Sequence, residues 1–114
     1  MLIFYCVSNW TTCKKAKAWL SEKNVDFQFR DLVKEPPTPE EIYQLGELTD
    51  LGIRGLLNKR SQAYKKSDVE GDDLSEDELA GFLATTPRAI KRPLVTNGKD
   101  LVVGFQQDQL EDII

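Results

Sequence analysis

The chemistry open to this chain rests on Cys6 and Cys13, because histidine is absent altogether. A sequence without imidazole has no histidine base and no histidine metal ligand. Two cysteines and the carboxylates leave zinc as a formal option, but the spacing of Cys6 and Cys13 matches no zinc pattern, and no metal is expected. Nothing reads as an export signal, since Met1 to Val7 has no basic residue before it and no small-residue cleavage site after it. The expected compartment is therefore the cytoplasm. There, two cysteines read as reduced, reactive or buried thiols rather than as a structural staple.

Cys13 has the stronger claim to chemistry. It falls in the first turn of a helix, where unpaired backbone N–H groups and the helix dipole favour a thiolate, and Lys14 and Lys15 add positive charge. The competing reading turns Cys13 inward as a small hydrophobe shielded by Trp10. Cys6 closes an apolar run and reads first as core packing.

The elements that position these residues are visible in the periodicity. Leu2-Ile3-Phe4-Tyr5-Cys6 reads as a strand buried on both faces in the middle of a sheet. A helix follows, capped by Thr11 or Thr12, with Ala16, Trp19 and Leu20 on its inner face, Lys14, Lys15 and Lys17 in water, and Asn24 as a left-handed cap. Val25 to Asp31 alternates at period two, so the opening is a strand-helix-strand unit with parallel strands.

Glu35-Pro36-Pro37-Thr38-Pro39 stops regular structure. Thr38 with Glu41 forms a capping box for a helix through Ile42, Leu45 and Leu48; a short helix is expected from Gly52 to Asn58, and Ser75 with Glu78 caps another ahead of Leu79, Phe82 and Leu83. Pro93 to Thr96, Asn97-Gly98 and Leu101 to Val103 read as a hairpin with a tight type I′ turn. Gln106 to Ile114 reads as a helix with Leu110, Ile113 and Ile114 as its stripe. The expectation is an α/β fold: a four-stranded mixed sheet, with a helical insertion between the N-terminal strand-helix-strand unit and the C-terminal hairpin. That is the thioredoxin layout.

At 114 residues, with 40% hydrophobic and 30% charged, the sequence reads as one globular domain spanning 1–114. A net charge of −4 argues against direct DNA binding, and no apolar run approaches the ~20 residues of a membrane span.

Three segments carry a family resemblance: Asn9 to Leu20, Leu56 to Ser61, and Ile90 to Leu94. In order and spacing they resemble the arsenate reductase and Spx family over essentially the whole chain. The resemblance implies a thioredoxin-like fold, a redox site in the loop between first strand and first helix, and a cis bond at Arg92-Pro93. It also exposes a departure: the family's usual first cysteine falls at Trp10 and its second at Cys13. An indole cannot attack arsenate or a disulfide, so the family reaction cannot run in its usual form. The arginine that arsenate reductases usually carry after the hairpin is replaced by Val102-Val103-Gly104-Phe105.

The resemblance also assigns candidate roles. Cys13 and Arg92 would be catalytic, with the Arg92 guanidinium holding an oxyanion or a carboxylate of a glutathione-like peptide, against the plain reading of a surface ion pair. Cys6 takes the place, four residues before Trp10, where arsenate reductases tend to carry a histidine. It could approach Cys13 across the loop, and a Cys6–Cys13 disulfide is conceivable if their Cα atoms come within about 7 Å. Asn9, Trp10, Arg60 and Pro93 are candidate binding residues; Trp10 is either a lid or partner anchor, or simply packed on the helix start. Gly52 matches a glycine at which Spx-type proteins contact the RNA polymerase α-subunit, and it equally suits a turn.

Two functions follow. One is an Spx-type regulatory or adaptor protein, with RNA polymerase as partner and thiol redox sensing at Cys13 and Cys6. The chain's end at Ile114, without the longer C-terminal extension common in Spx-type regulators, stands against it. The other is a thiol oxidoreductase of arsenate reductase type, using Cys13 with glutathione or glutaredoxin supplying the second thiol and no bound cofactor.

Overall fold

Leu2-Ile3-Phe4-Tyr5-Cys6 is apolar along its whole length because it forms a strand with a neighbour on each side. The computed structural model describes residues 2–8 and 10–114. Among them are four strands, β1 (Leu2–Cys6), β2 (Phe27–Asp31), β3 (Leu94–Thr96) and β4 (Leu101–Val103), in the spatial order β2-β1-β3-β4. β1 runs parallel to β2, from Leu2 opposite Phe27 to Cys6 opposite Asp31. It runs antiparallel to β3, with Phe4 opposite Val95, and β3 runs antiparallel to β4. This is the mixed four-stranded sheet expected. The helices are α1 (Thr11–Glu22), α2 (Pro39–Gly46), α3 (Gln62–Lys66), α4 (Glu76–Thr85) and α5 (Gln107–Ile113).

The chain divides into two compact units. The first takes the residues up to Leu32 and from Arg92 to Ile114, and holds the sheet, α1 and α5; the second, Val33–Lys91, is the helical insertion.

In the first unit, Phe4, Cys6, Cys13, Ala16, Leu20, Val95, Val102 and Leu110 form one buried cluster. Burying a leucine such as Leu20 or Leu110 contributes roughly 1.5–3 kcal/mol. α1 ends as its sequence predicts: Asn24 takes φ +56°, and its N–H donates to Ser21 O while that of Val25 donates to Leu20 O. That closure uses Val25, so β2 begins at Phe27 rather than Val25.

Four further expectations for this unit are corrected. The N-cap of α1 is Trp10, with no side-chain cap, so neither Thr11 nor Thr12 caps it. Lys17 is not in open water: its ammonium sits 3.5 Å from the Phe29 ring centre, where the ring's negative face attracts it. Type I′ geometry needs positive φ at both central residues, yet only Gly98 has it, at +94°. The Asn97 side chain instead accepts from the backbone N–H groups of Lys99 and Asp100, giving a loop over residues 97–100. α5 is capped by Gln106 and buries Leu110, while Ile114 is 44% exposed.

In the second unit both capping boxes form, Thr38 with Glu41 and Ser75 with Glu78. The predicted helix from Gly52 to Asn58 is a 3₁₀ turn over Gly52–Leu56, after which Leu57 bridges Ile90. Arg54 in this turn donates to Gly71 O at 2.9 Å and Leu74 O at 2.6 Å, tying the turn to the approach to α4. α3 was not expected; Ser61 caps it by accepting from Tyr64 N, and no residue of so short a helix is buried, which leaves it without an apolar stripe to read. The Tyr64 hydroxyl accepts from Gly71 N.

Candidate functional site

Cys6 ends the central strand and Cys13 lies in the first turn of α1, so the connection between them folds back on itself. Their Cα atoms are 6.0 Å apart and their sulfurs are joined as a disulfide. Both residues are fully buried. Of the two expectations for this pair, separate thiols or a disulfide across the loop, the structure has the disulfide, and no cysteine is free. Cys13 occupies the inner face of α1 with Ala16 and Leu20, and its Sγ also accepts from Val7 N at 3.2 Å. Of the two readings of Cys13, the geometry is that of the inward one.

The loop is held by its own backbone and by one carboxylate. Trp10 N donates to Val7 O at 3.1 Å, and Ser8 N donates to Asp31 Oδ2 at 3.2 Å. Asp31 is only 8% exposed and pairs in register with Cys6. Sequence reasoning missed it as a loop-holding residue. The signal was there: in β2, Phe27, Phe29 and Asp31 share one face, and a carboxylate at the end of an apolar face needs donors.

Trp10 is 38% exposed. The Arg92 guanidinium carbon lies 4.5 Å from the Trp10 ring centre, within cation–π range. Arg92 thus faces the loop, as expected, and what it meets there is an indole. The Arg92-Pro93 bond is cis, Pro93 is buried, and Pro93 O accepts from Gly104 N at 2.8 Å. Cys6, Cys13, Trp10, Arg92 and Pro93 all belong to the first unit.

Arg60 and Gly52 belong to the second unit. Arg60 is exposed, and its backbone N–H donates to Asn58 Oδ1 at 3.0 Å. Gly52 takes φ +67°, a left-handed conformation that favours glycine, and opens the 3₁₀ turn. Asn9 lies outside the described residues.

Among the described residues no group of three or more histidine, cysteine, aspartate or glutamate side chains could hold a metal ion. No helix among them is long and apolar enough to cross a membrane.

Chemically, the arrangement offers a closed, buried disulfide and, in the same unit, a half-buried guanidinium stacked on a partly exposed indole. It presents no accessible thiol at the surface where an attacking sulfur is expected.

Known proteins resemble this chain along most of its length. The global transcriptional regulator Spx of Lactiplantibacillus plantarum is 36% identical over 110 residues, covering 96% of this chain and 83% of the relative. The regulatory protein MgsR of Bacillus subtilis is 33% identical over 109 residues, covering 96% and 86%. Among solved structures, an ArsC family related protein from Bacteroides fragilis superposes with a TM-score of 0.86 at 32% identity, covering 97% of this chain and 95% of that one. The family model described as ArsC matches residues 5–113, and the chain belongs to the ArsC family.

Proposed function

We propose that this chain is a regulatory or adaptor protein of the Spx type, acting by binding a protein partner in the cytoplasm. The partner of choice is RNA polymerase through its α-subunit, with Gly52 as a candidate contact and Asn9, Trp10, Arg60 and Pro93 as further candidate binding residues. Thiol redox sensing falls to Cys6 and Cys13. We read residues 1–114 as one thioredoxin-like domain carrying an insertion, because the sheet-bearing unit is built from two separated stretches of chain.

The observation that carries this reading is Trp10. Where an attacking sulfur would stand there is an indole beneath Arg92, and both thiols are bonded to each other inside the core. A reductase needs an exposed thiolate to open its substrate, and neither cysteine offers one. The relatives named as regulators support the same reading. In the alternative, Cys13 would attack as a lone nucleophile assisted by Arg92, and glutathione or glutaredoxin would resolve the intermediate.

The test pairs two assays on the full chain: calorimetric binding to purified polymerase α-subunit, and glutathione-coupled arsenate reduction. Saturable binding without turnover is expected. Turnover that disappears in Cys13→Ser, with no binding, overturns the reading.

A further inference from the structure

Asn97 and Gly98 form the only Asn-Gly pair in the sequence, and that pair carries a chemistry of its own. The backbone nitrogen that follows an asparagine can close a ring on the side-chain amide, and a glycine there has no Cβ to hinder the approach. The pair lies in the loop over residues 97–100, with Asn97 half-buried and Gly98, Lys99 and Asp100 exposed. Nothing stands within 4 Å of the position a Gly98 Cβ would take, so water reaches the backbone there. Both reacting groups are nevertheless engaged elsewhere. Gly98 N donates to Thr96 Oγ1 at 3.0 Å, which aims its N–H at the last residue of β3 rather than at the Asn97 amide. Asn97 Oδ1 accepts from Lys99 N at 2.9 Å and from Asp100 N at 2.8 Å, which fixes the side-chain torsions. Thr96 Oγ1 in turn donates to Asp100 O at 2.8 Å, so one hydroxyl ties both ends of the loop. Thr96 itself is buried and paired on both sides, with Ile3 and with Leu101.

We infer that Asn97-Gly98 is a self-modification site gated by Thr96: while the loop's hydrogen bonds hold, the amide persists, and when the loop opens, Asn97 converts to aspartate and isoaspartate. In the open loop a hydroxide ion takes the proton of Gly98 N. The nitrogen attacks Asn97 Cγ, the new N–Cγ bond closes a cyclic imide, and the bond from Cγ to the side-chain nitrogen breaks. That nitrogen takes a proton from water and leaves as ammonia, which regenerates the hydroxide. Water then opens the imide at one of its two carbonyls. Opening at Cγ gives aspartate; opening at the Asn97 backbone carbonyl gives isoaspartate, whose main chain runs through Cγ. One water is consumed, one ammonia is released and no electron changes hands. Either product adds a negative charge beside Asp100. Aspartate can still accept from Lys99 N and Asp100 N, whereas isoaspartate lengthens the connection between β3 and β4 by a methylene and breaks the loop's register. Opening of such a loop is a local event that need not unfold the rest of the unit.

The loop follows the last residue of β3, whereas Arg92-Pro93 precedes the first, and the inference goes beyond the regulatory reading without resting on it. Its test incubates the full chain at mildly alkaline pH, folded in buffer and unfolded in guanidinium chloride. Asn97 conversion is followed by peptide mass spectrometry, and isoaspartate is counted by isoaspartyl methyltransferase labelling. The unfolded chain should convert at Asn97, and the folded chain more than ~tenfold more slowly, because three hydrogen bonds must break together. Thr96→Val keeps a branched strand residue and removes the hydroxyl. It should speed conversion in the folded state about three- to tenfold, the weight of a hydrogen bond in the opening equilibrium, and leave the unfolded rate unchanged. Thr96→Ser retains the hydroxyl and should stay near wild type. Ser75→Ala, which weakens the cap of α4 in the other unit, should not move the rate. Circular dichroism establishes which variants are folded; if Thr96→Val is not, Thr96→Ser, Ser75→Ala and the wild-type comparison decide. No conversion at Asn97 in the unfolded chain overturns the site. Equal folded and unfolded rates, an unmoved rate in folded Thr96→Val, an accelerated rate in folded Thr96→Ser, or an accelerated rate in Ser75→Ala each overturns the gate.

Discussion

Arg92 stands over the face of Trp10, its guanidinium carbon 4.5 Å from the ring centre, with the indole partly open to solvent. At a site this exposed a cation–π contact contributes about 0.5–1 kcal/mol. A double-mutant cycle with Trp10→Leu and Arg92→Gln, read by urea unfolding of the oxidised protein, should return a coupling energy of that size. Strict additivity would mean that the contact is geometrically present and energetically silent.

Gly52 and Gly81 should respond to alanine with opposite signs. Gly52 sits at φ +67°, where a Cβ strains the backbone whatever the space around it, so Gly52→Ala should cost about 1–2 kcal/mol. Gly81 lies inside α4 with nothing near the position of a Cβ, so Gly81→Ala should gain about 0.5–1 kcal/mol. Chemical denaturation of the two variants beside wild type decides the point. Equal signs would contradict the backbone assignment at one of them.

Ser75 begins α4 by accepting from Glu78 N at 3.1 Å, while Glu78 accepts from Ser75 N at 2.9 Å. Ser75→Ala removes one half of that exchange and should cost about 1 kcal/mol, whereas Ser75→Asp should retain most of the stability. Thermal melts of both variants provide the comparison.

Tyr43 donates its phenolic proton to Asp77, and that bond, with desolvation and the Asp77 charge adding to it, pushes the Tyr43 pKa up from 10.0 to about 12. Because the folded value lies above the ordinary one, the bond's contribution is intact below pH 10 and is lost as pH rises through 12. Ultraviolet titration of the three tyrosines should show one late component, absent in Tyr43→Phe and moved toward 10 in Asp77→Asn. A late component that survives both substitutions would belong to another tyrosine.

What the sequence made legible was whatever local chemistry decides. The apolar run of β1, the two capping boxes and the left-handed Asn24 are set by neighbours within a few residues, and each appears as read. The family resemblance located the cis Arg92-Pro93 bond. The misses came where a longer-range partner wins. Lys17 looks solvated on a helical wheel until Phe29 arrives from β2. Asn97-Gly98 favours one turn type in isolation, but pairing Thr96 with Leu101 leaves four residues to connect, and the Asn97 side chain organises them. Cys13 was ambiguous although Cys13, Ala16 and Leu20 follow the i, i+3, i+7 spacing of one helix face. That spacing favours burial; the charge at the helix start favoured reactivity, and packing won.

The strand order has a bearing on how this protein is made. β1 meets its second neighbour only when residues 94–96 have left the ribosome, so throughout synthesis of the insertion its far edge is an open, wholly apolar template. Such long-range pairing is slow and exposes the nascent chain to association with other chains. The helical insertion is thus also a waiting time, and translation speed across Val33–Lys91 sets how long the half-built sheet must remain unpaired.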